Sequence, residues 1–177
     1  MTIDSTPEDV LQGRARWCVA HGDSAIVLPQ IPNGVVSAVV SDPPSGIAFM
    51  GAAWDNNKGG RAQWVEWLRG ILADARRCTR DGGRSVIWSL PRTSHWTGCA
   101  VEDAGWFIEN TIFHAFGTGW PKASSQLKPA QETWWLARNG ASEELNIDAC
   151  RIAGARPTTI RGAGGQNGAY SAIGAQG

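Results

Sequence analysis

The stretch Val35-Val36-Ser37-Ala38-Val39-Val40-Ser41-Asp42-Pro43-Pro44 decides the fold of this protein. Its first seven residues form a nearly continuous apolar and largely β-branched run, which predicts a strand buried on both faces in a parallel sheet. The two prolines end that strand, because proline cannot donate to the hydrogen-bond ladder. Asp42 therefore stands at the carboxyl end of a predicted central strand, where open α/β sheets bind their ligands. The alternative is a proline-rich turn that Asp42 caps.

Strand and helix patterns alternate along the rest of the chain. The clearest helix spans about Ala62–Arg80, where apolar residues recur at three- and four-residue spacing and Gly82-Gly83 are expected to end it. The other predicted elements are strands at Arg16–His21, Ser85–Ser89, Phe107–Phe116 and Thr133–Arg138 and helices at Ser24–Leu28 and Ser94–Ala104. This alternation predicts a doubly wound α/β fold with a parallel sheet.

Three segments are expected along the chain. Residues 1–15 form a ragged or partly helical lead-in, and residues 16–150 form the domain itself. Residues 151–177 hold seven glycines and almost no large apolar side chains, which favours a flexible tail.

Composition excludes several classes of protein. The chain has 177 residues, with 16 basic and 16 acidic side chains and a net charge of zero, so it does not bind nucleic acid mainly through bulk charge. No apolar run reaches the roughly 20 residues of a membrane span, and the polar, acidic N-terminus is unlike a secretory signal. We expect a cytoplasmic protein without membrane contact. The four cysteines are scattered without metal-ligand spacing, so no metal site is predicted.

The segment Asp42-Pro43-Pro44-Ser45 resembles the catalytic motif of DNA amino-methyltransferases, in which Asp-Pro-Pro precedes an aromatic residue. Several other segments, in the same order along the chain, also resemble phage-type and prophage-type members of this family, and together they cover roughly residues 16–152. These segments are Gly22-Asp23, Leu28-Pro29, Gly46–Asp55, Gly119–Lys122, Leu127–Glu132 and Leu145–Ile152.

The resemblance implies a Rossmann-like sheet that binds S-adenosyl-L-methionine and methylates adenine N6 or cytosine N4 in double-stranded DNA. The target base is flipped out of the duplex, because its amino group is unreachable in the stack. Asp42 and the Pro43 carbonyl then accept hydrogen bonds from that amino group, with Pro44 and Ser45 completing the motif. Asp42 also faces the cofactor, while Asp23 either contacts its adenosine part or caps the next helix.

Position 45 departs from the family pattern, because Ser45 stands where an aromatic ring normally stacks on the flipped base. Such stacking contributes about 1–3 kcal/mol per base. Phe49 or Trp54 from the following loop are candidate replacements, and Lys122 and Lys128 are candidate phosphate contacts. Alternatively Ser45 marks a weakened or lost activity. If the missing ring is the defect, Ser45→Tyr is expected to raise methylation.

The cofactor motif departs from the pattern as well. The resemblance is to the circularly ordered class, in which the catalytic motif comes first and Phe-x-Gly-x-Gly comes last. Phe116-Gly117-Thr118-Gly119 has similar letters, but Trp120-Pro121 follow where a helix should begin. A C-terminal half or a second chain is therefore expected to carry the cofactor motif, and residues 151–177 are then the start of a target-recognition region.

Three functions stay open at this point. The first is a DNA amino-methyltransferase, or its N-terminal part, from a phage or a restriction–modification system. The second is a catalytically degenerate relative that binds DNA or a partner chain. The third is a methyltransferase that acts on another planar amine, such as one in RNA.

Overall fold

A computed structural model describes residues 5–117, 127 and 130–144 of the chain. Contacts between residues divide the chain into the units Met1–Glu143 and Glu144–Gly177. All helices and strands described below belong to the first unit. They are the helices α1 (Pro7–Leu11), α2 (Ser24–Val27), α3 (Arg61–Cys78) and α4 (Ser94–Asp103), the strands β1 (Val36–Ser41), β2 (Thr79–Ser89), β3 (Phe107–Ala115) and β4 (Gln131–Arg138), and single 3-10 turns at Leu28–Gln30, Phe49–Gly51 and Ala53–Asp55.

The four strands form one sheet in the order β1-β2-β4-β3. β1 and β2 are parallel, whereas β4 runs antiparallel to both of its neighbours. The prediction of a parallel sheet is thus right for the pair β1–β2 and wrong for the pairs that β4 makes with β2 and β3; β3 points in the same direction as β2 but is not paired with it. The helix α3 is the crossover connection that the parallel pair β1–β2 requires, and α4 connects β2 to β3. The apolar pattern of β4 carries no information on its direction.

The junction between α3 and β2 differs from the prediction. The helix ends at Cys78 and the strand begins at Thr79 without a loop, so Gly82 and Gly83 lie within β2 rather than at a helix end. The pairing of β1 with β2 shifts register between Val36 and Ala38, opposite this glycine pair. A strand that contains glycines at such an irregularity is difficult to recognise from its sequence.

Two further strand predictions are corrected. Residues 16–21 form no strand, because their backbone makes no ladder with the sheet. β1 is present but is not buried on both faces, since it is an edge strand among the described residues and Val40 is 74% exposed. A continuous apolar run indicates the strand but not how many sides of it are covered.

The hydrophobic core lies between α3, α4 and the sheet. The predicted apolar stripe of α3 is confirmed, since Trp64, Leu68, Leu72 and Ala75 are all buried. The buried residues that complete the core are Ile87, Ala100, Val101, Ala104, Trp106 and Ala137. In the part of the chain that the structure describes, no helix has both the length and the apolar character needed to cross a membrane.

We predict that Leu68→Ala lowers the free energy of unfolding by about 2–5 kcal/mol, because it removes a fully packed side chain and leaves a cavity. Leu127→Ala is the matched control, because Leu127 is almost completely exposed and its truncation leaves no cavity. Urea denaturation followed by circular dichroism measures both changes. Equal stability of the two variants would contradict the placement of the core.

Candidate active site

A cavity of about 480 Å³ opens at the carboxyl ends of β1 and β2. Its volume lies in the range of small-molecule sites, and it includes six of the residues predicted from the sequence. The lining residues are Asp42, Pro43, Pro44, Ser45, Ile47, Phe49, Trp54, Asp55, Trp88 and Leu90. Because β1 and β2 are parallel, their carboxyl ends meet at one edge of the sheet and bring Trp88 and Leu90 to the residues that follow β1.

The remaining predicted site residues lie elsewhere. Asp23 is not among the lining residues, and its Oδ1 accepts a hydrogen bond from the Ala25 amide at 2.9 Å, so it caps α2. This observation supports the capping alternative, and a cofactor contact by Asp23 stays a prediction. Lys122 and Lys128 lie outside the described residues. Among the described residues, no three His, Cys, Asp or Glu side chains are grouped closely enough to hold a metal ion.

Asp42 lies in an environment that opposes its ionisation. Although the side chain is accessible to solvent, partial burial removes some of its hydration and raises its pKa. The negative charge of Glu132 on β4 raises the pKa further. A hydrogen-bond donor or a cation placed in the cavity would therefore stabilise the charged form of Asp42.

Asp55 is a second carboxylate at the cavity and has the opposite character. Only 1% of its surface is exposed. Oδ1 accepts a hydrogen bond from the Gly46 amide at 2.9 Å, and Oδ2 accepts one from the Phe49 amide at 2.8 Å. The Ser45 hydroxyl donates to the same carboxylate, at 3.2 Å from Oδ1 and 3.1 Å from Oδ2.

These donors keep Asp55 ionised. Burial by itself raises the pKa of Asp55, but the hydrogen bonds from Phe49, Gly46 and Ser45 outweigh burial, and the pKa lies below its ordinary value. The stability that this lowered pKa contributes is present above the pKa of the unfolded chain and is lost as pH falls through the folded value. Asp55 thus stabilises the loop at neutral pH.

The start of the loop is held by two further elements. Thr93, at the N-terminal end of α4, donates a hydrogen bond from Oγ1 to the Ser45 carbonyl at 2.9 Å. Gly46 lies directly against α3 with φ of +74°, and a Cβ at this position would be 2.7 Å from Trp64 Nε1. The Ser45–Gly46 backbone is therefore held by a hydrogen bond from α4 and by packing against α3.

Asp55, Thr93 and Trp88 are site residues that the sequence did not reveal. Thr93 and Trp88 belong to other elements, and only the tertiary fold brings Trp88 to the cavity and Thr93 to the Ser45 carbonyl. The one signal for Asp55 is its position beside Trp54 within the segment that resembles the family. An acidic residue in a loop rich in glycine and asparagine otherwise predicts a solvated turn.

We predict that Gly46→Ala destabilises the protein more than Gly51→Ala does. The two glycines have almost the same φ, +74° and +75°, so each substitution costs about 1–2 kcal/mol for the left-handed backbone. Only at Gly46 does the added methyl group meet another side chain, and overpacking costs about a further 1–3 kcal/mol. Thermal unfolding of the two variants measures the difference. Identical losses would show that the loop does not rest on Trp64.

The sequence matches the model of the DNA methylase family of N6/N4 methyltransferases (N6_N4_Mtase) over residues 36–164. The match begins at β1 and includes the cavity and the residues around it. The chain belongs to this family. None of the curated proteins matches the sequence.

Two solved structures of similar fold carry names that refer to DNA methylation. PvuII DNA methyltransferase, which is cytosine-N4-specific, is 17% identical, with a TM-score of 0.57 over 77% of this chain and 53% of that chain. A protein of Thermus thermophilus, TTHA0409, named as a DNA modification methylase and complexed with S-adenosyl-L-methionine, is 17% identical, with a TM-score of 0.52 over 72% and 57% of the two chains. The chain thus spans about half the length of these structures. The predicted α/β fold of the S-adenosyl-L-methionine-dependent methyltransferases is confirmed.

Proposed function

We propose that this chain carries the catalytic motif of a DNA methyltransferase that transfers a methyl group from S-adenosyl-L-methionine to adenine N6 or cytosine N4. The observation that carries the proposal is the position of Asp42-Pro43 at the carboxyl end of β1, on a cavity beside the rings of Phe49 and Trp54. The cavity is large enough for one nucleobase, which is the unit that base-modifying enzymes extrude from the duplex.

The residues at the cavity fit the reacting end of the cofactor. S-adenosyl-L-methionine, when bound, supplies an electrophilic methyl group on a sulfonium cation. The Asp42 carboxylate attracts a positive charge, and the aromatic faces of Phe49, Trp54 and Trp88 attract cations through their quadrupoles. We assign Asp42 to this end of the cofactor.

The role of Asp42 and Pro43 follows from the chemistry of the amino group. The lone pair of an exocyclic amine is delocalised into the ring, so the nitrogen is planar and a poor nucleophile. When the Asp42 carboxylate and the Pro43 carbonyl accept hydrogen bonds from its two N–H groups, the nitrogen is drawn towards tetrahedral geometry and its lone pair is freed. The proton leaves once the nitrogen has become cationic, and the raised pKa of Asp42 brings that carboxylate closer to the range of a useful acceptor.

A second candidate is a catalytically degenerate relative that binds DNA or a partner chain. The observation in its favour is Ser45, which has no ring and whose hydroxyl is hydrogen-bonded to Asp55. The two candidates differ in whether labelled methyl groups reach DNA. Nucleoside analysis of the labelled product separates N6-methyladenine from N4-methylcytosine, and an RNA competitor tests the third alternative.

We predict that Asp42→Asn reduces methyl transfer to DNA by at least about a hundredfold, the usual range for a positioned acid–base group. Stability should stay the same or rise. The folded pKa of Asp42 is raised, so the carboxylate is destabilising at neutral pH and its replacement by a neutral amide removes that cost.

Transfer is measured with tritiated S-adenosyl-L-methionine on the chain supplied with a segment that carries the cofactor motif, and stability by calorimetry on the chain itself. Asp103→Asn is the control, because Asp103 is an exposed carboxylate at the C-terminal end of α4 and does not line the cavity. A variant at position 42 that loses stability together with activity would assign Asp42 a structural role instead.

The remainder of the cofactor pocket is proposed to come from a segment with the Phe-x-Gly-x-Gly motif, in a C-terminal half or in a second chain. Among the described residues, β1 pairs on one edge only. Val35, just before that strand, and Val40, within it, are exposed. An unpaired strand edge with exposed apolar side chains is typical of an interface.

We predict that the 177-residue chain alone shows no saturable binding of S-adenosyl-L-methionine by calorimetry. Binding should appear when a segment with the cofactor motif is fused to it or added in trans. Full affinity of the isolated chain would overturn the proposed division of the site, while leaving the proposed role of Asp42 intact.

The setting of the enzyme is part of the same proposal. The segments that resemble phage-type members support a cytoplasmic DNA methyltransferase from a phage or a restriction–modification system. Lys122 and Lys128 are proposed to contact DNA phosphates, on the basis of their position in those segments.

A further inference from the structure

The loop at residues 46–55 is organised around the Asp55 carboxylate. A buried ionised carboxylate is costly unless hydrogen bonds replace its hydration. Here the Ser45 hydroxyl and the amides of Gly46 and Phe49 supply that replacement. The Asp55 carbonyl also accepts the Ala48 amide at 2.6 Å. Asp55, the last residue of the loop, is therefore hydrogen-bonded both to its first residue, Gly46, and to Ala48 and Phe49 near its middle.

Apart from Asp55, the loop is held by the contacts of Ser45 and Gly46 at its start and by the backbone hydrogen bonds of its two 3-10 turns. Ala48 and Met50 both have φ of 53°, a left-handed conformation that is unfavourable for residues with a Cβ. Its largest side chains are not buried either, since Phe49 is 51% exposed and Trp54 is 63% exposed. Because apolar packing contributes little between Ala48 and Trp54, the hydrogen bonds of Asp55 are the contacts that tie this part of the loop to its start.

The same loop places both exposed rings on the cavity. Phe49 and Trp54 line it together with Pro44 and Ser45. The Phe49 amide is itself bonded to Asp55, and Trp54 directly precedes Asp55 in the sequence. Rings that stay half-exposed beside a cavity of nucleobase size offer faces on which a base can stack. Ser45 cannot offer such a face, but its hydroxyl holds the loop that does.

We propose that Asp55 is a positioning residue, and that the Ser45–Asp55 pair holds Phe49 and Trp54 as the stacking surface for an extruded nucleobase. The inference deepens the proposed function and rests on it. The ring that the family pattern places at position 45 is here supplied from the following loop. Ser45→Tyr, which a simple stacking deficit predicts to be beneficial, should therefore be harmful, since it removes the hydroxyl that Asp55 binds.

The test separates the position of the ring from capture of a base. Full-length protein is labelled with 5-fluorotryptophan, and the resonance of Trp54 is assigned with Trp54→Phe. Base capture is followed by titration of a DNA duplex with one 2-aminopurine opposite an abasic site, because the fluorescence of this probe changes when it leaves the stack of its neighbouring bases for another surface. The variants are Asp55→Asn, Ser45→Ala and Ser45→Tyr, with Ser45→Thr as the matched control that retains the hydroxyl.

The expected result is that Asp55→Asn, Ser45→Ala and Ser45→Tyr move the Trp54 resonance towards the value of an unstructured chain. Probe binding should weaken by on the order of tenfold to a hundredfold. The resonance of Trp106 should stay in place, because this buried ring donates its Nε1 hydrogen bond to the Leu72 carbonyl and does not line the cavity. Ser45→Thr should retain the Trp54 resonance and the binding of the probe. The unchanged Trp106 resonance excludes general unfolding as the cause.

Three results would overturn the inference. If Trp54 keeps its resonance in Asp55→Asn and Ser45→Ala, Asp55 does not position the ring. If the resonance moves but the probe binds equally well, the rings are held for another purpose, such as contact with a partner protein. If the wild-type protein leaves the fluorescence of the probe unchanged while the resonance still responds to Asp55→Asn, base capture fails and the proposed function fails with it.

Discussion

The indole ring of Trp64 connects the hydrophobic core to the candidate site, and the geometry of both depends on it. The ring is fully buried in α3, with the Trp67 ring at 6.1 Å and the Trp96 ring at 5.7 Å between centroids. The backbone of Gly46 lies against its Nε1 edge. Because a Cβ at position 46 would collide with the indole, only glycine lets the backbone approach the ring this closely. The position of Trp64 in the packing of α3 on the sheet therefore determines where the cavity-forming loop begins.

Two carboxylates at this cavity differ in pKa because their surroundings differ. Asp55 is surrounded by hydrogen-bond donors and its pKa lies below the ordinary value, whereas Asp42 is partly desolvated, lies near Glu132 and has a raised pKa. The difference in pKa suits two roles, since a permanently charged group can stabilise a loop and a group of raised pKa can accept a proton.

Ser45 contributes to the first of these roles, because its hydroxyl is hydrogen-bonded to Asp55, while the rings beside the cavity come from the loop. A missing aromatic residue in the motif is therefore weak evidence for loss of function.

Local sequence determined the elements whose patterns are short-range. The apolar run before Asp42-Pro43-Pro44 marked β1 and its abrupt end, the three- and four-residue spacing marked the stripe of α3, and the ordered motifs indicated the family. The first two features depend on side-chain periodicity and on proline geometry, both of which act between near neighbours. The strand end placed Asp42 as a site candidate and the family resemblance added Phe49 and Trp54, and these three residues line one cavity.

Tertiary structure decided what depends on distant contacts. The antiparallel direction of β4, the start of β2 at Thr79 and the unpaired segment at residues 16–21 were set by which strands meet, and an alternating pattern does not encode its partner. The burial of Asp55 was equally invisible, because a carboxylate in a glycine-rich loop looks solvated until donors from Ser45, Gly46 and Phe49 surround it. Hydration is lost only when the chain closes on itself, and so the fold determines which of the two carboxylates holds the loop and which faces the cavity.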